Sequence, residues 1–92
     1  MRDIDIIIQQ LQLAHPDIRV EQLSVAHPGA DDNGLWFFTH PASGIEVQLE
    51  SSTGSCPFLV ESAGSARRPM AATVQQAIAL VLGCLGLGVP AV

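Results

Sequence analysis

Ile4, Ile7, Ile8, Leu11 and Ala14 recur at helical spacing near the start of the chain, with Gln9, Gln10 and Gln12 falling mostly outward. The pattern predicts an amphipathic helix over about 4–14, with Asp3 as its N-cap and Asp5 favoured in its first turn. Pro16 ends it. After it, "DIRVEQLSVAH" alternates at Ile18 and Val20, slips phase, and alternates again at Leu23 and Val25. That slip fits a strand over about 18–26 with a bulge.

"PGADDNG" reads as loop, and "LWFFTH" as a second strand over about 35–40, dense in large apolar residues. "PASG" turns the chain into the cleanest alternation it contains, over about 45–51. Ile45, Val47 and Leu49 share one face there, and Glu46, Gln48 and Glu50 the other. "FLVES" forms a short fourth strand over about 58–62, and "AGSARRP" a flexible connector.

A final helix is predicted over about 74–85. Val74, Ile78, Val81, Leu82 and Leu85 form its main stripe, widened by Ala77, Leu80 and Cys84, with Gly86 as a natural C′ residue. Thr73 and Gln76 stand at capping-box spacing, so that each side chain can satisfy the other's backbone N–H. The order is α-β-β-β-β-α. Short connections favour an antiparallel meander packed against both helices, an α+β fold in one domain over 1–92.

Composition narrows what such a domain does. The net charge is −5, lysine is absent, and the basic residues are Arg2, Arg19, Arg67 and Arg68. Binding to nucleic acid or to an anionic membrane surface draws on clustered cations, so neither is expected. The uncharged run "AIALVLGCLGLGV" covers 13 residues, short of the roughly 18 that a membrane span needs. The N-terminus carries no signal-peptide pattern. A cytoplasmic protein with Cys56 and Cys84 as reduced thiols is expected.

The stretch "LESSTGSCPFLVE" is the strongest lure for chemistry. A cysteine-phosphatase loop would need an arginine six positions after Cys56, where Ser62 stands, and Pro57 removes a backbone donor from any anion nest. A hairpin turn explains every residue of it. His15, His27 and His40 each precede a proline and so read as element ends. His15, Asp17 and His40 could meet at one end, which makes at best a three-ligand metal hypothesis.

Two other motifs fail on inspection. With Asp31, Asn33 and Gly34 in a calcium-loop register, Gly29 and His40 fall where carboxylates are required. Gly83, Gly86 and Gly88 are in the wrong order for a dinucleotide fingerprint. Glu46, Glu50 and Glu61 read as a solvated sheet face before they read as a hydrolase pair. No cofactor or metal is expected.

"GLWFFTHP", then "EVQLESSTGSCPFLVE" and a T-x-x-Q helix start, resembles a group of small uncharacterised bacterial proteins with no assigned activity. The likeness covers roughly Gly34 to Leu82, and ESS-x-G-x-C-P-F is its most specific string. It implies a bacterial cytoplasmic origin. The helix, strands, helix order is also similar to the opening of type III secretion chaperones, whose later strands and last helix have no counterpart here.

The leading expectation is a non-enzymatic, acidic protein-binding domain: an accessory, chaperone-like or immunity-type factor. The alternative is a small enzyme or a ligand or metal binder using Cys56, His40 and the sheet-face glutamates. In the second strand Trp36 and Phe38 point one way, and Leu35, Phe37 and Thr39 the other. Whichever set faces the helices, the other stays on the open face beside Glu46, Gln48, Glu50, Leu59 and Glu61. That makes an apolar centre rimmed by carboxylates, suited to a partner with a basic surface. A helix apolar on several faces must also be covered all round, so the C-terminal helix packs on the first helix or dimerises.

Overall fold

The computed structural model describes residues 2–22, 34–62 and 68–87. The order is α1 (Asp3–Ala14), β1 (Arg19–Gln22), β2 (Leu35–Thr39), β3 (Glu46–Glu50), β4 (Phe58–Ser62), β5 (Met70–Ala71) and α2 (Val74–Cys84). The strands form one antiparallel meander in the order β1-β2-β3-β4-β5. The expected α+β architecture is therefore present, with one addition: Met70 and Ala71, between the expected connector and the last helix, pair with Leu59 and Phe58. Two residues are too few to show alternation, and Pro69 masks the start. Of the first strand, Leu23 to Ala26 and the bulge lie outside the described residues.

Both helices lie on one face of the sheet. Ile4, Ile7 and Leu11 from α1, and Ala77, Val81, Leu82 and Leu85 from α2 and its C-cap, share one buried core with the sheet's inward set. That set is Trp36, Phe38, Val47, Leu49, Phe58, Val60 and Ala71. Ile18 joins it just ahead of β1. Ala14, counted on the apolar stripe of α1, is exposed in its last turn, and Leu13 beside it is 71% exposed.

The start of α1 departs from expectation by one residue, and that of α2 stands where the Thr73 and Gln76 spacing put it. Arg2, not Asp3, is the N-cap of α1, and its backbone N–H donates to Asp5 Oδ2 at 3.0 Å. Asp3 is thereby left free to reach another element. At α2, Gln76 N–H donates to Thr73 Oγ1 at 3.1 Å, as a capping box requires. The reciprocal bond goes elsewhere: Gln76 Oε1 accepts from Ala72 N–H at 2.8 Å.

The C-terminus of α2 follows the expected pattern. Gly86 has φ +73°, Gly86 N–H donates to Gly83 O at 3.2 Å, and Leu87 N–H to Leu82 O at 3.0 Å. These two bonds are a Schellman motif around an αL glycine. The apolar breadth of α2 is largely answered within the chain, because α1 packs on one side of it and β4 and β5 on another. What it leaves exposed is Gln75, Gln76, Ala79 and Gly83.

Candidate functional site

The turn at 51–57 is a fastening between sheet and helix, not a cradle for an anion. Ser51 is buried, and its Oγ donates to Ser55 O at 2.6 Å, closing the turn on itself. Gly54 O accepts from Ile4 N–H at 2.9 Å, and Cys56 N–H donates to Asp3 Oδ2 at 2.9 Å. Both bonds satisfy groups that a helix start and a turn would otherwise leave open. The Arg2 guanidinium completes the fastening, 5.9 Å from the Trp36 ring centroid. Gly34 makes the other close approach here, since a Cβ at that position would sit 2.1 Å from Ser51 O. That crowding, and not a calcium loop, accounts for its glycine. Asp31 and Asn33 lie outside the described residues.

Cys56 is half-buried against the core. Burial pushes its thiol up; the Asp3 carboxylate adds to this by accepting a hydrogen bond from the thiol and by repelling its anion. Only the backbone hydrogen bond at Cys56 opposes the rise. A nucleophilic cysteine needs the reverse environment. Cys84 is also free and half-buried.

The structure does not unite Cys56 with His40. His40 follows Thr39, which pairs with Glu46 at one end of β3, whereas Cys56 precedes β4 near the Glu50 end. The length of β3 separates those ends, about 13 Å at 3.3 Å per residue. His40 does approach His15, with ring centroids 6.3 Å apart in an edge-on arrangement, and its Nδ1 accepts from Ala42 N–H at 3.1 Å. Asp17 does not complete a site: among the described residues no three His, Cys, Asp or Glu side chains are grouped to hold a metal. His27 lies outside the described residues.

The outer face of the sheet is where the expected partner-binding residues converge. The register sets Leu35, Glu50, Leu59 and Met70 in one cross-strand row. Glu21, Phe37, Gln48 and Glu61 form the next, and Arg19, Thr39 and Glu46 the third. Seven of the eight proposed residues, Leu35, Phe37, Glu46, Gln48, Glu50, Leu59 and Glu61, therefore share this face. Trp36 does not. It is 3% exposed and lies in the core on the opposite side, so its place in that set is corrected. Alternation alone could not choose between the two faces of β2, because both are apolar.

Sequence reasoning missed three members of the face: Met70, which is 56% exposed, and Arg19 and Glu21 on the edge strand. Leu35, Phe37 and Leu59 are partly exposed, and Glu46 and Glu50 exposed. Glu61 meets Arg68 at 3.7 Å. The side chains of Glu46 and Glu50 have no ion pair or hydrogen bond among the described residues. No described helix is long and apolar enough to cross a membrane.

No family model, no curated protein and no solved structure matches the chain. The resemblance of the Gly34–Leu82 segment to small bacterial proteins thus rests on its strings alone.

Proposed function

We propose that the chain is a non-enzymatic protein-binding domain, an accessory, chaperone-like or immunity-type factor, that takes its partner on the outer face of the sheet. One observation carries this reading. Leu35 and Leu59, on either side of Glu50, share with Phe37 a face on which neither described helix packs, with Glu21, Glu46 and Glu61 around them and Arg19 in the Glu46 row. Apolar side chains at a centre and charges at a rim are the usual anatomy of a protein interface. The sign of the rim selects a partner with a basic surface and speeds its encounter. A bacterial cytoplasm is the proposed setting, supported by two free cysteines and by the ESS-x-G-x-C-P-F string.

The test is site-specific photocrosslinking in the native cell. A benzoylphenylalanine replacing Phe37 is expected to capture a discrete basic protein, while the same group replacing Gln10, exposed on α1, captures none. Equal capture from both positions, or none from Phe37, sinks the proposal. Charge reversal at Glu46 and Glu50 is expected to slow association with the captured protein and to change its salt dependence.

A further inference from the structure

We infer that Glu50 is the anchor of the outer face and that it receives an arginine side chain of the basic partner, a reading that rests on the outer face being the docking surface. Glu46 and Glu50 share the central strand of the sheet, but their neighbours differ. Glu50 pairs with Leu35 on β2 and with Leu59 on β4, so an apolar side chain stands on each side of it. Phe37 is its diagonal neighbour on β2. Glu46 pairs with Thr39, a polar residue, and has Phe37 as its diagonal neighbour too, but no aliphatic side chain is paired with it among the described residues.

Directly opposed residues have Cβ atoms about 4.5–5.5 Å apart, so a partner side chain entering beside Glu50 lies between two aliphatic walls. An acidic group on an apolar floor suits a side chain with an apolar stem and a cationic head. Arginine fits better than lysine. Its guanidinium is planar, meets a carboxylate through two parallel hydrogen bonds, is weakly hydrated and stacks on an aromatic ring such as Phe37. As the partner closes between these walls, water leaves and the charge pair strengthens.

The chain itself offers few competitors. Arg2 pairs with Asp5 at 3.5 Å and Arg68 with Glu61 at 3.7 Å. Arg19 stands in the Glu46 row, two strands from β3. Arg67, in the 63–67 segment outside the described residues, is the remaining arginine, and lysine is absent. A second copy is disfavoured as occupant, because it would set carboxylates against carboxylates.

The probe is an acetylated, amidated peptide alternating leucine and arginine, with a lysine version and a glutamate version as comparisons. Binding is followed by amide chemical shifts and by affinity at two salt concentrations. Shifts are expected at Leu35, Phe37, Glu50 and Leu59, with the arginine peptide bound tighter than the lysine one and the glutamate one not bound. Glu50→Gln, which keeps shape and removes charge, is expected to weaken the arginine peptide about tenfold, and Glu46→Gln at most about twofold. Arg67→Gln is expected to leave affinity within about twofold.

Equal weakening by Glu50→Gln and Glu46→Gln overturns the anchor and leaves the docking face standing. So does a gain of about tenfold from Arg67→Gln, which makes Arg67 the occupant. Shifts confined to another surface overturn the anchor as well, and the crosslinking at Phe37 then decides separately whether the face binds a protein.

Discussion

The two faces of this sheet are written by alternate residues of the same strands, and both contain large apolar side chains. The inner face holds Trp36, Phe38, Val47, Leu49, Phe58 and Val60 in rows that contain no charged residue, so two helices can close over it without burying a charge. The outer face holds Leu35, Phe37 and Leu59, but every row that contains one of them also contains a carboxylate. Covering Glu50 with an apolar helix would strand a charge, at a cost of several kcal/mol. The outer face can therefore be covered only by something that brings a cation. Apolar content alone does not separate a core from an interface; the charge pattern between the apolar residues does.

The largest expected effect tests that difference on adjacent residues. Phe38 is fully buried and Phe37 partly exposed, one position apart on β2. Phe38→Ala should lower the free energy of unfolding by about 3–5 kcal/mol, and Phe37→Ala by under about 1 kcal/mol, in urea denaturation. Comparable losses would mean that the outer face is a second core, and the comparison would collapse.

Leu85→Ala is expected next, at about 2–5 kcal/mol, because Leu85 is 1% exposed at the C-cap of α2. The same melts run over a wide protein concentration address a dimer through α2. A midpoint that does not move with concentration fits a helix covered by α1 and the sheet, whereas one that rises with concentration shows a second copy to be part of the stability.

Much of this architecture is legible in the sequence, for physical reasons that differ by element. Period-2 alternation placed β3 and the outward direction of Glu46, Gln48 and Glu50 without help, because one side of that strand is polar. β2 is different: apolar on both sides, it left Trp36 and Phe37 on equal terms, and only the packing of α1 and α2 onto Trp36 and Phe38 decided it. Cap identity was misjudged at Asp3 because its true partner, Cys56 N–H, lies 53 positions along the chain. Met70 escaped notice because a two-residue strand has no period. Local patterns fixed the elements, and non-local contacts chose their faces and their polar partners.

Asp3→Ala probes one such non-local contact, where the helix layer is fastened to the sheet. It removes the acceptor of Cys56 N–H at 2.9 Å and a favourable charge in the first turn of α1, and should cost about 1–3 kcal/mol. Alkylation of Cys56 at pH 8 should become faster, because the carboxylate that raises its thiol is gone. An unchanged alkylation rate would show that Asp3 does not govern the thiol.

The smallest effect is expected from Cys56→Ser, and it separates a packing thiol from a functional one. A serine hydroxyl can donate to Asp3 as the thiol does and is slightly smaller, so the loss should stay under about 1 kcal/mol. The pH dependence then reports the thiol itself. Its pKa is raised in the folded chain, so the folded state holds the proton more tightly than the unfolded state. The resulting stability is complete below the ordinary thiol value of 9.0 and is lost as pH rises through the folded value. Wild-type stability should therefore fall faster above about pH 9 than that of Cys56→Ser, which has no thiol to titrate. If the two curves run parallel through that range, the thiol's contact with Asp3 adds nothing to the fastening, and the 51–57 turn holds α1 through the backbone bonds of Cys56 N–H to Asp3 and of Ile4 N–H to Gly54 O.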